Sequence, residues 1–144
     1  MLNINTNEML IELTRGDTAN IVFSAVDKEG NTWTPSANTD KLKFSVAKKW
    51  GAEPLMNIVN TYDPDDAEGV DKFWTITIGK DDWLAKDEDG VVILDDEGNG
   101  TDLFKFSDYV WDCQISTSTG SDTIIGKTSD LNPTFRVLGE VATE

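Results

Sequence analysis

Apolar and polar positions alternate along most of this chain, with the period of half-buried β-strands. Met9, Ile11 and Leu13 share one parity and predict a first strand after a polar lead-in. Arg15-Gly16-Asp17 predicts the turn that ends it. Ala19, Ile21, Phe23 and Ala25 alternate with Asn20, Val22, Ser24 and Val26, the first set forming the stronger core face. A hairpin loop at 27–31 sets Gly30 where a positive φ is needed, and Thr32-Trp33-Thr34 is a short strand ended by Pro35. Residues 41–49 point Leu42, Phe44 and Val46 inward and Lys41, Lys43 and Ser45 outward. A further short strand is expected at 55–59. Residues 60–72, with Asp63-Pro64-Asp65-Asp66, read as an acidic loop outside the core. Residues 73–78 read as a strand with Trp74, Ile76 and Ile78 on one face. Asp81-Asp82-Trp83-Leu84-Ala85 predicts a single helical turn with Lys80 or Asp81 near its N-cap. Tyr109, Trp111, Cys113 and Ile115 alternate on a late strand, residues 117–122 turn, and a strand follows from 123. Phe135 and Val137, paired in phase, close the pattern.

About eight or nine short strands without an amphipathic helix of three turns predict an all-β fold, an antiparallel Ig-like β-sandwich. The 144 residues suit a single domain spanning 1–144. Residues 87–107 break the spacing. They carry Val91-Val92-Ile93-Leu94 between two acidic turns, Asp87-Glu88-Asp89-Gly90 and Asp95-Asp96-Glu97-Gly98. This segment reads as an acidic hairpin inserted in a loop, and removing 87–102 is expected to leave folding intact. Trp33, Trp74 and Trp111 fall in strands and are expected in the core, whereas Trp50 and Trp83 sit at element ends and are the surface-contact candidates.

Charge narrows the function. Twelve Lys and Arg face 27 Asp and Glu, a net charge of −15. Nucleic-acid binding needs clustered cations, and anionic membranes repel such a surface, so neither is an expected partner. The acidic residues read chiefly as solvated turns. Met1-Leu2-Asn3-Ile4-Asn5-Thr6 lacks the basic and apolar regions of a secretory signal, and no apolar run reaches membrane-spanning length, so synthesis in the cytoplasm is expected.

Enzyme chemistry finds little support. The chain has no histidine, which removes Ser–His and Cys–His nucleophile systems and the commonest general base. Cys113 is the single cysteine, so it forms no intrachain disulfide, and its place in an alternating run predicts a small buried hydrophobe. Paired carboxylates can hydrolyse glycosides, but these lie in predicted turns rather than in strands lining a cleft. No catalytic residue and no cofactor is therefore assigned. For calcium, the run from Asp95 to Gly100 offers oxygens at alternate positions with glycine in sixth place, yet Phe106 stands at the twelfth instead of a bidentate Glu. An EF-hand is excluded. A looser Ca2+ site on Asp95, Glu97, Asn99 and Asp102 is the metal candidate, with Asp63, Asp65, Asp66 and Glu68 a second cluster. Arg15-Gly16-Asp17 spells an integrin-type tripeptide and is better explained as a strand-to-strand turn.

Three phrases carry a resemblance. Leu13-Thr14-Arg15-Gly16-Asp17-Thr18 opens the domain, Tyr109-Val110-Trp111-Asp112-Cys113-Gln114-Ile115 lies late, and Phe135-Arg136-Val137-Leu138-Gly139-Glu140-Val141 ends it. Together they resemble the Ig-like domains of bacteriophage virion proteins, in particular the N-terminal domain of the phage baseplate upper protein. The resemblance implies a virion location and a non-enzymatic structural component of tail, baseplate or head decoration. It also implies docking to other virion proteins, self-association or ring assembly, with residues 2–8 and 141–144 reaching neighbours. The baseplate protein continues into a stalk, whereas this sequence runs to Glu144, and residues 87–107 are longer than the turn expected at that place. The alternative is a carbohydrate-binding β-sandwich module, with Trp50 and Trp83 stacking on a glycan.

Overall fold

A computed structural model describes residues 2–5, 9–26, 29–104, 108–125 and 133–139. The expected reach of residues 141–144 to neighbours lies outside these, as do Glu140 and Val141 of the closing phrase. The strands are β1 (Leu2–Asn5), β2 (Leu10–Thr14), β3 (Ala19–Val22), β4 (Ala25–Val26), β5 (Thr32–Trp33), β6 (Lys41–Ala47) and β7 (Pro54–Thr61). They continue with β8 (Thr75–Ile78), β9 (Asp108–Thr117), β10 (Gly120–Ile125) and β11 (Thr134–Leu138), and a short helix α1 (Gly69–Trp74) precedes β8. The protein is all-β. Among the described residues, no helix is long and apolar enough to cross a membrane.

One large sheet runs β1-β2-β11-β9-β6-β7, with β10 hydrogen-bonded to β9 alongside β11. Two small sheets, β3-β8 and β4-β5, complete the fold. The core lies between the large sheet and β3-β8. Strict alternation builds it: Leu42, Phe44 and Val46 of β6 and Trp111, Cys113 and Ile115 of β9 are buried, as are Ile21, Ile76 and Ile78 opposite. Phe23 joins the layers, its ring 6.0 Å from both Phe44 and Trp111. On the outer face, Arg136 bonds Asp108 at 2.9 Å and pairs with Glu12 at 3.6 Å, across β9, β11 and β2.

The expectation of antiparallel pairing throughout is corrected at one place. β11 lies parallel to β2, with Phe135 beside Ile11 and Val137 beside Leu13. Parallel neighbours need a long crossover, and here nearly the whole domain separates the two strands in sequence. The opening and closing phrases are therefore side by side, and the Arg15 amide donates to the Leu138 carbonyl at 2.9 Å. Met9 adopts a left-handed φ of 54° just before β2. Its carbonyl accepts from the Thr134 amide (3.1 Å) and from Trp111 Nε1 (3.0 Å). A non-glycine residue in that region is strained, and these two bonds hold it there. The polar lead-in is also partly strand, because β1 pairs antiparallel with β2.

Residues 60–78 differ from expectation as well. Phe73 and Trp74 are buried from α1 rather than from a strand, and Tyr62 and Gly69 of the acidic stretch pack inward. A Cβ on Gly69 would stand 2.5 Å from the Asp63 carbonyl, so only glycine fits this close approach. Asn60 on β7 donates its amide to the carbonyls of Lys72, Phe73 and Thr75 at 2.7–3.1 Å. Those carbonyls lose their helical partners where α1 ends, and Asn60 supplies the replacement.

Residues 84–102 form a closed three-segment ring rather than a simple hairpin. Ala85 donates to Thr101 (2.8 Å), Thr101 to Ile93 (2.9 Å), and Ile93 back to Ala85 (2.9 Å). Antiparallel bridges Lys86–Val92, Leu94–Gly100 and Leu84–Asp102 flank the three bonds. Leu84, Val92 and Gly100 occupy equivalent places and meet inside. A Cβ on Gly100 would lie 2.7 Å from Leu84 and 3.3 Å from Val92, so glycine leaves room for the other two. The two corners between segments are alike. In each, an aspartate (Asp87, Asp95) accepts two backbone amides, and a glycine at φ 82° or 84° (Gly90, Gly98) makes the turn.

The far end of the segment belongs to the core. Phe104 is fully buried, its ring 5.2 Å from Trp83, 4.9 Å from Tyr109 and 6.1 Å from Phe135. Phe104→Ala should destabilise the domain by about 3–5 kcal/mol. Replacing residues 86–100 with Asn-Gly should cost far less, because Ala85 and Thr101 are already hydrogen-bonded neighbours. Urea titration of both variants checks this, and equal losses in midpoint would contradict the assignment of Phe104 to the core and the ring to the periphery.

Candidate functional site

The two tryptophans singled out for surface contact have different fates. Trp83 is corrected to a core residue, 1% exposed. A 3-10 turn at Lys80–Trp83 tucks it under the ring, and its indole N–H donates to the Asp17 carbonyl at 2.8 Å. Gly79 is the N-cap rather than Lys80 or Asp81, and its amide bonds Asp82 Oδ2 at 2.7 Å. Trp50 remains half-exposed, on the turn between β6 and β7. That turn bends at Gly51, φ 87°, and the Ala52 amide closes it on the Lys49 carbonyl at 3.2 Å.

Trp50 stands beside an open cleft of about 260 Å³ on the outer face of the large sheet. Pleating produces the floor, since alternate residues of β6 and β9 point away from the core. Ser45 pairs with Asp112 and Ala47 with Val110 across the two strands, and Gln114 follows on β9. A second depression of about 300 Å³ adjoins it, lined by Lys48, Lys49, Trp50, Asp108, Val110 and Thr134. The indole nitrogen of Trp50 is buried and has no hydrogen-bond partner among the described residues. Burial raises the Asp112 carboxyl above the ordinary carboxylate range. Thus an aromatic wall, a small apolar floor and an acceptor that burial disfavours as an anion share one cleft.

A third depression, about 460 Å³, lies between the start of β7 and the base of the ring, where Leu55, Met56, Leu84 and Leu103 supply apolar wall. The ring itself exposes Val91 (59%), Ile93 (44%) and Leu94 (61%), with acidic turns on either side. Sequence reading placed these residues in a hairpin but did not single them out. Their signal was the consecutive apolar run between two Asp-x-x-Gly turns.

The calcium candidates do not converge. Asp95 accepts the amides of Glu97 and Asn99 in its own turn. Asp102 instead faces the body, paired with Arg15 at 3.2 Å and accepting the Phe104 amide. In the second cluster, Asp63 and Asp66 accept the amides of Asp65 and Glu68, and Asp66 pairs with Lys72 at 2.7 Å. Hydrogen bonding from Lys72 holds the Asp66 carboxyl below its usual range. Among the described residues, no group of three or more acidic, Cys or His side chains is arranged to hold a metal ion. Arg15-Gly16-Asp17 serves as the β2–β3 turn, the Asp17 amide bonding the Thr14 carbonyl at 3.0 Å. In comparisons with known proteins, no family model, curated protein or solved structure matches the chain.

Cys113 is inert by position. Burial, with the negative Asp112 next to it, pushes its thiol up to about 12. A folded value above the unfolded value of 9.0 means that the unfolded chain releases this proton first. The stability Cys113 contributes is full below that unfolded value and falls as pH rises towards the folded one. The urea midpoint should therefore drop more steeply above pH 9 for the natural chain than for Cys113→Ala. Parallel curves would show that burial does not perturb the thiol.

Proposed function

We propose that this chain is a non-enzymatic docking module of a phage or prophage particle, an Ig-like β-sandwich that acts by protein–protein contact. The observation that carries the docking part is the exposed apolar run Val91, Ile93 and Leu94 on the ring. Backbone bonds in the ring and the Arg15–Asp102 ion pair hold that surface in place before any partner arrives. Preformed apolar surface of this kind marks contact sites on soluble proteins. Six carboxylates flank it in the two turns, from Asp87, Glu88, Asp89, Asp95, Asp96 and Glu97. The fitting partner is a particle protein with an apolar hollow rimmed by Lys and Arg. The particle setting rests on the three phrases. The opening phrase starts at the end of β2, where Leu13 and Thr14 lie beside Val137 and Leu138 of the closing phrase on β11, and the third phrase lies on β9 beside β11. Repetition around a ring would multiply a weak contact into a stable one.

Mass spectrometry of density-banded particles from the source tests the reading. The chain should appear at a stoichiometry comparable to other particle proteins. Leu94→Asp should lower incorporation at unchanged melting temperature, because the side chain is 61% exposed. Absence from well-purified particles would remove the virion assignment, and full incorporation of the variant would remove the ring as the docking surface.

A further inference from the structure

We propose that the Trp50 cleft binds a neutral saccharide unit, with the apolar face of a pyranose ring against the indole and ring hydroxyls donating to Asp112. The cleft has the necessary parts in the necessary places. Trp50 rises from the β6–β7 turn as the wall, and Ala47 and Val110 form a floor too small to fill the space. Ser45, Asp112 and Gln114 line up along it from paired strands at the pleat spacing. Sugar rings carry C–H faces and a rim of hydroxyls, and proteins meet them with an aromatic face beside planar polar groups.

Charge selects within ligand classes. A carboxylate is an acceptor only, so a ligand that satisfies Asp112 must bring donors. Hydroxyl groups do so without the charge of a phosphate or uronate. Lys49 lines the cleft and Lys48 the adjoining depression, each sharing its space with a carboxylate, Asp112 or Asp108, and the net charge of −15 disfavours long anionic polymers. The depression on the far side of Trp50 gives room for a second sugar unit, so an oligosaccharide chain fits better than a monosaccharide.

Asp112 separates this reading from a purely structural one. It lies half-buried where burial disfavours its charge, and an asparagine there would escape that penalty. Asp112→Asn should therefore raise the melting temperature and, in the same protein, weaken sugar binding. A side chain with only a structural role predicts no change in binding.

The test is titration of the isotope-labelled chain with maltoheptaose, cellopentaose and chitopentaose, and with heparin as the anionic probe. The indole N–H resonance of Trp50 is assigned by its loss in Trp50→Ala. At least one neutral oligosaccharide should shift it saturably, and heparin should not. Trp50→Ala and Asp112→Asn should each weaken binding about tenfold or more, the loss expected for one stacking or charge-assisted contact. Gln114→Ala serves as the second variant should Trp50→Ala fail to fold, with a smaller loss in the same direction. No shift with any neutral sugar, equal binding of heparin, or unchanged affinity in the folded variants would overturn the proposal. It stands apart from particle docking, because Leu94→Asp should leave sugar binding intact and Trp50→Ala should leave incorporation intact.

Discussion

The parallel register of β2 and β11 sets the position of Phe135, and much of the molecule is arranged around that ring. Phe135 lies 6.3 Å from Phe44 of β6, 6.0 Å from Trp83 and 6.1 Å from Phe104. These neighbours come from the large sheet, the 3-10 turn and the foot of the inserted ring. Tilted aromatic pairs at such separations add to the burial of their surfaces. A slip of one residue between β2 and β11 would turn Phe135 and Val137 to solvent and bring Arg136 inward. The ladder from Asp108 through Arg136 to Glu12 marks the same register on the outer face. Both faces thus favour one alignment of the chain's two ends.

Part of the chain's acidity has a structural explanation. Asp63, Asp66, Asp87, Asp95 and Asp102 each accept a backbone amide two residues onward. Asp40, buried, accepts the amides of Ser36 and Ala37. A carboxylate used in this way fixes a turn that otherwise leaves amides unmet. Six of the 27 acidic residues thus serve to build tight corners, whereas Asp112 lies on a strand and lines a cleft.

What was legible in the sequence followed from local period. β2, β6, β9 and β11 are each half-buried, so their alternation shows in the residues, and the turn at Arg15-Gly16-Asp17 follows from its glycine. The parallel pairing was not legible, because nothing local records which distant strand lies alongside. Trp83 was misplaced for a similar reason. A tryptophan in a charged turn looks exposed until the partner of its N–H, Asp17, is known. Phe104 was hidden at the end of an acidic segment. The ring left one readable trace, the matching Asp87–Gly90 and Asp95–Gly98 corners, but its closure depends on bonds between three separated segments. Of the two site candidates, Trp50 stays partly exposed on the β6–β7 turn, and the pairing of β6 with β9 brings Asp112 and Gln114 to the same cleft.

Closing the ring has a consequence for how the surface can change over time. Its three segments tie Ala85, Ile93 and Thr101 to one another through backbone bonds, so the ring keeps its shape without help from the side chains that protrude. Val91, Ile93, Leu94 and the carboxylates of Glu88, Asp89, Asp96 and Glu97 can then be exchanged one at a time while Leu84, Val92, Gly100 and the corner residues Asp87, Gly90, Asp95 and Gly98 stay fixed. The ring is a mount whose specificity can drift without risk to the fold that carries it.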